Sequence, residues 1–158
     1  MSTGFRHADH RYPFLWESAA QPAGRWHADG DGPCQYLADT PDGAWAEFLR
    51  HEEITDPDDL PGITRSLWAI EVPDPVLAGA HHAAAPDMTG GPASYPSCQD
   101  YARTQRGRGV TDNGLRDADN RDGATWVLFG SRPDLRGWRI VERGAPPARV
   151  LGLTRHLA

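Results

Sequence analysis

Arg25, Tyr36 and Glu47 follow one another at intervals of eleven residues within GRWHADGDGPCQYLADTPDGAWAEFL, residues 24–49. A guanidinium beside a tryptophan grips phosphate with a planar fork of donors. A tyrosine ring one strand over stacks on a flat heteroaromatic ring. A lone carboxylate at a helix margin steadies positive charge developing on a sugar carbon. The same three residues serve equally well as a surface ion-pair partner, a core ring and a solvated helix charge. Their spacing alone does not separate the two readings.

The surrounding sequence says which elements must hold them. GRWHA and CQYLAD read as two strands joined by the turn DGDG, which places Arg25 and Tyr36 on adjacent strands. TPDGAWAEFLRHEEI reads as a helix: Thr40 caps it, Pro41 suits its first turn and Asp42 lies near the positive end of its dipole. Trp45, Phe48 and Leu49 fall on one arc with Ala44 at its edge. Glu47 lies about 100° around from Phe48, at the margin of the buried face and able to point into a cleft beside the core.

Before this stretch, FRHADHRYPFLWE reads as a short strand and loop. After it, SLWAIEVPD reads as a strand, residues 75–94 as a long loop able to act as a lid, and SCQDYARTQRGRG as a short helix. The turn TDNG follows, then the strands ATWVLFG and RGWRIVERG, with ARVLGLT as a last strand. The order β-β-α-β-α-β-β makes an α+β chain without the regular βαβ repeats of a dinucleotide-binding sheet.

At 158 residues the chain is sized for one domain, residues 1–158, with one real core. Mean hydropathy is −0.61, while Gly 17 and Pro 14 make about a fifth of the residues, so loops are abundant. Six tryptophans argue against disorder. A net charge of −6 gives no support to a nucleic-acid or anionic-membrane partner. All 16 basic residues are Arg. That excludes a lysine Schiff base, a P-loop lysine and a lysine general base, and leaves any anion to arginine. Cys34 and Cys98 match no metal or redox spacing and read as buried thiols. His7/His10 and His81/His82 lack the further ligands a metal site needs, so no metal is expected. With no apolar signal core and no run of membrane-spanning length, the expectation is a cytoplasmic protein.

The order and wording of the opening stretch are more specific than its spacing. Gly24-Arg25-Trp26, the Gly30/Gly32 turn, Tyr36 with Ala38, then Ala44 and Glu47, together resemble the central signature of the RES domain, a family of bacterial NAD-consuming proteins. LRDADNRDGATWVLF, within a block of about residues 112–130, looks like that family's last block. The resemblance implies a single α+β domain with an ADP-ribosyltransferase-like split mixed β-sheet, flanking helices and long loops. It also implies cleavage of the nicotinamide–ribose bond of NAD, by inorganic phosphate or by water, in a toxin restrained by an antitoxin, such as a helix-turn-helix protein. Glu47 would steady the oxocarbenium-like transition state, Arg25 would hold a phosphate, and Tyr36 would line the nicotinamide pocket. Departing nicotinamide is already cationic in NAD, so such an enzyme mainly positions it and stabilises ribosyl charge, with no metal or lysine required.

The family's Ser has no counterpart in GLRDADNRDG; Asp119 is the most natural occupant, or Asp117 if the register slips by two. An anion there would repel a phosphate nucleophile and favour water. Trp26 and His27, beside Arg25, join the NAD-binding candidates, as does Arg6, for which Arg11 is an alternative; His51 lies one turn after Glu47. Arg103, Arg106 and Arg108 read as a solvated helix end. Two rival functions stay open: an ADP-ribosyltransferase acting on a macromolecule, and a catalytically silent nucleotide-binding module. Homo-oligomerisation is also open.

Overall fold

The computed structural model describes residues 1–106, 114–118, 122–144 and 146–154, so Asp119 and Arg108 lie outside the described residues. Among the described residues seven strands form one mixed sheet: β1 (Ser2–Asp9), β2 (Cys34–Ala38), β3 (Arg65–Val72), β4 (His81–His82), β5 (Gly114–Ala118), β6 (Thr125–Phe129) and β7 (Arg136–Glu142). Their spatial order is β4-β5-β6-β2-β1-β3-β7, antiparallel except for the short β4–β5 pair.

The sheet is split at its centre. β1 runs along β3 from Ser2↔Val72 to Asp9↔Arg65, and β2 runs along β6 from Cys34↔Phe129 to Ala38↔Thr125. β1 and β2, by contrast, meet in register at one pair, Phe5↔Ala38. Gly4 permits that close meeting, because a Cβ there would sit 2.9 Å from Leu37 Cδ1 and 3.3 Å from the Trp126 ring. Beyond the pair the strands part. Arg6 and His7 on β1 then face Tyr36 and Leu37 on β2 across a gap where ladder hydrogen bonds would otherwise be.

Among the described residues four helices pack around the sheet: α1 (Pro41–His51), α2 (Asp74–Ala78), α3 (Tyr95–Arg106) and α4 (Arg149–Leu153). α1 begins as its sequence predicts. Thr40 Oγ1 accepts from Gly43 N at 3.0 Å, and Pro41 and Asp42 occupy the first turn. It buries Trp45 and Leu49 against Leu67 and Val150, while Glu47 and Phe48 stay at the margin. A second cluster, Trp26, Cys34, Cys98, Leu115 and Val127, packs α3 onto the β2–β6–β5 half.

Three local expectations are corrected. GRWHA is not a strand but a tight turn, with Gly24 N donating to His27 O at 3.0 Å. Trp26 and His27 are consecutive and both buried, which the alternation of a half-exposed strand does not allow. ARVLGLT gives the helix α4 and a capping Thr154 instead of a strand, because Val150 and Leu151 turn together onto the α1 cluster. Residues 75–94 are not one loop: they include most of α2, then β4 and a 3-10 turn at Pro92–Ser94. β5 was not predicted. Its Gly114 lies so close to β6 that a Cβ would fall 2.0 Å from Val127 O.

Candidate active site

Tyr36 and Glu47 stand where the split opens. β2 carries Tyr36 to the gap, and α1, leaving β2 through the Asp39-Thr40 corner, brings Glu47 back over it. Two cavities meet at them. One, of about 470 Å³, is bordered by Arg25, Arg50, Tyr95 and Thr125. The other, of about 400 Å³, is bordered by Arg6, His7, Phe48 and Arg65. Tyr36, Glu47 and His51 line both, so the sequence-predicted carboxylate and ring sit on the seam of a two-part cleft.

The Tyr36 hydroxyl is tied down. It accepts from Trp26 N at 3.1 Å and lies 2.6 Å from His27 Nδ1. His27 Nε2 lies 2.8 Å from Pro22 O, an acceptor only, so Nε2 carries the ring proton and Nδ1 accepts from Tyr36. Burial also lowers the His27 pKa and keeps the ring neutral, and burial raises that of Tyr36 well above the usual phenol. The phenol is thus a fixed neutral donor to His27, and its ring is what it offers to the cleft.

Two of the expected ligand contacts, Trp26 and His27, are more deeply set than Tyr36 and Arg25. His27 is 1% exposed and reaches the cleft only through Tyr36. Trp26 borders the cleft but is 2% exposed, packed in the core and edge-on to Tyr101. Both hold the turn that carries Arg25.

Arg25 does reach the cleft, and the protein already holds it. Its Nη1 donates to Ser94 Oγ at 2.8 Å, its Nη2 donates to Gly90 O, and its guanidinium stacks over Tyr95 at 4.7 Å. The segment expected to be a lid is therefore pinned along one side of the cleft by the predicted phosphate ligand. Two of the five guanidinium donors are used in this way. Gln99 Nε2 braces the same turn from α3, donating to Gly24 O at 2.9 Å.

On the opposite wall, Arg50 of α1 is ion-paired with Asp122, both nearly buried. The pair ties α1 to the lead-in of β6, where Thr125 faces the cleft. Gly43 lets that lead-in approach, since a Cβ there would lie 3.2 Å from Asp122 O. Thr125 is a cleft residue that sequence reasoning did not single out. A neutral hydroxyl does line the cleft, six residues beyond the position at which the family's Ser was sought. Its place near the start of the ATWVLFG strand was legible, but its position beside Ala38 follows from the β2–β6 register, which no local pattern gives. Asp117 is turned elsewhere, against His82 on the β4–β5 edge, and Asp119 lies outside the described residues. Arg11 pairs with Asp9 in solvent, which leaves Arg6 as the early arginine in the cleft. No group of three or more His, Cys, Asp or Glu among the described residues is placed to hold a metal ion.

Comparison with known proteins gives the family and the fold. The model of the RES domain matches residues 3–148. A stretch of 54 residues is 50% identical to "Toxin Res" of Pseudomonas putida, covering 34% of this chain and 35% of that protein, so the match spans about a third of the relative's length. Among solved structures, the crystal structure of the M. tuberculosis MbcT–MbcA toxin–antitoxin complex contains a chain that superposes with a TM-score of 0.60 at 19% identity. That match covers 96% of this chain and 88% of the other, and shows a shared fold.

Proposed function

The chain belongs to the RES-domain family, and on that premise we propose that it cleaves NAD at the nicotinamide–ribose bond. The observation that carries the reading is the meeting of Tyr36 and Glu47 at the seam of two cavities, with Arg25 on one wall and Arg6 on the other. A dinucleotide has a flat cationic ring at one end and a diphosphate further along, and the cleft offers an aromatic ring, a carboxylate and cations in separate places.

In the proposed reaction the bond between the ribose C1″ carbon and the nicotinamide nitrogen breaks. Its electron pair leaves with the ring, which becomes neutral, and positive charge passes to the ribosyl carbon. Glu47 stabilises that charge where it develops, the differential interaction that accelerates a reaction. Tyr36 stacks against the departing ring. An oxygen of phosphate or water then closes on the carbon, giving ADP-ribose 1″-phosphate or ADP-ribose; with water, one proton is released to solvent. Thr125 supplies a neutral hydroxyl beside the seam. By the same reading the protein is a toxin, as the name of the P. putida relative says of that protein, and it is paired with an antitoxin, as the name of the M. tuberculosis complex says of the proteins there.

Mass spectrometry of purified protein incubated with NAD, with and without inorganic phosphate, tests this directly. The expected result is release of nicotinamide with ADP-ribose 1″-phosphate when phosphate is present and ADP-ribose when it is not. Transfer of ADP-ribose onto a macromolecule would replace the proposed acceptor. Intact NAD would overturn the reading.

A further inference from the structure

One residue bordering the larger cavity has a backbone conformation that the fold alone does not favour. Glu53, just past α1, has a φ of 56°, in the left-handed region that suits glycine. The turn itself is an ordinary helix stop. Glu53 N donates to Arg50 O at 3.1 Å, Ile54 N donates to Leu49 O at 2.9 Å, and Ile54 packs on the α1 cluster. A glycine would end the helix in the same way without the strain. The exposed Glu53 carboxylate makes no hydrogen bond or ion pair among the described residues, so none of them offsets that strain. What the side chain has instead is a place on the border of the cavity of about 470 Å³, together with Thr55, Pro92 and Tyr95. Unusual backbone at a ligand-sized cleft is where function outweighs local preference.

Glu53 stands at the far end of α1 from the reacting carbon. It follows Glu47 by a span of about 9 Å along the helix direction, at roughly 1.5 Å per residue. A dinucleotide whose reactive ribose lies at Glu47 carries a second ribose beyond its diphosphate, and Tyr95 and Pro92 give an apolar wall for the purine attached to it. The arginines of this cavity are already engaged. Arg50 is ion-paired with Asp122, and Arg25 donates to Ser94 Oγ and Gly90 O while lying over Tyr95. No further arginine among the described residues borders the cavity to meet an additional phosphate group.

We propose that Glu53 is a specificity determinant: it accepts hydrogen bonds from the hydroxyls of the adenosine ribose and repels a ribose carrying a 2′-phosphate, so that the cleft takes NAD in preference to NADP. A carboxylate has two acceptor oxygens for a diol and a charge of the wrong sign for a phosphate at the same spot. The inference names the substrate more closely and, for turnover, rests on the proposed NAD cleavage; the discrimination itself is read in binding.

Calorimetric titration of the full chain with ADP-ribose, and separately with 2′-phospho-ADP-ribose, tests this without requiring turnover. Wild type should bind ADP-ribose about tenfold more tightly at low salt. Glu53→Gln, which keeps the shape and loses the charge, and Glu53→Gly, which loses the side chain, should both narrow that preference to about threefold or less. Glycine is favoured at this φ, so the second variant tests the side chain whether or not the first folds well. With NAD and NADP as substrates the same narrowing should appear in kcat/KM, chiefly through KM, because Glu53 is remote from the bond that breaks. Equal binding of the two ligands by wild type, or a preference that survives in both variants, would overturn the proposal. The expected preference with no release of nicotinamide from NAD would leave the role of Glu53 standing and remove the cleavage reading instead.

Discussion

At the residue scale, the cleft depends on side chains kept in one protonation state. His27 is neutral because burial disfavours its charge and its Nε2 proton is committed to Pro22 O, so Tyr36 has a fixed acceptor. His7 is neutral first because burial disfavours its charge too, and then because two arginines lie against it and its Nδ1 already accepts from one of them. This has a thermodynamic consequence. The unfolded chain protonates this histidine near pH 6.5, whereas the folded chain resists until about pH 3. Stability from the neutral ring is therefore complete above pH 6.5 and declines as pH falls towards 3. From pH 7 to 5 the loss from His7 is about 2 kcal/mol, at roughly 1.4 kcal/mol per pH unit below 6.5. Urea unfolding of wild type and His7→Gln at the two pH values should show the variant losing less on acidification, since glutamine accepts from Arg65 without titrating. Equal losses would mean that His7 is not held neutral.

At the scale of elements, α1 is the part most fully written in the sequence. Its cap, first-turn proline and apolar arc are local features, and each appears where expected. The Arg25 turn was misread because its structure depends on distant partners. Tyr36 bonds Trp26 N from β2, Gln99 bonds Gly24 O from α3, and no local pattern announces either. β5 was missed for a similar reason, being short and defined by its close approach to β6 at Gly114. The link between Arg25 and the 90–95 segment gives an element-scale prediction. Arg25→Lys keeps the charge but cannot bond Gly90 O and Ser94 Oγ while stacking on Tyr95. Amide hydrogen exchange should quicken in residues 90–95, and NAD affinity measured by calorimetry should fall nearly as far as in Arg25→Ala. A lysine variant matching wild type in both would show that charge alone suffices.

At the scale of the whole molecule, the split sheet is what makes a site possible. One strand pair that meets at Phe5↔Ala38 and then parts creates a cleft in the middle of a sheet, between halves in which β1 pairs along β3 and β2 along β6 without a break. The family signature made this architecture legible, because strand patterns report burial and not which neighbour a strand abandons. Gly4 is the hinge of the arrangement in packing terms. Gly4→Val would drive a branched side chain into Leu37 and Trp126, with an expected cost of about 1–3 kcal/mol in chemical denaturation. A cost near zero would mean that the two halves can part further without penalty.

The central claim is that Glu47 at this seam stabilises charge on the ribosyl carbon of NAD, and nicotinamide release is the measurement closest to it. Wild-type protein should release nicotinamide from NAD. Glu47→Gln, with unchanged thermal unfolding, should do so about a hundredfold more slowly, equivalent to roughly 3 kcal/mol of lost transition-state stabilisation. Release at the wild-type rate by a stably folded Glu47→Gln protein, or none from wild type, would contradict the account.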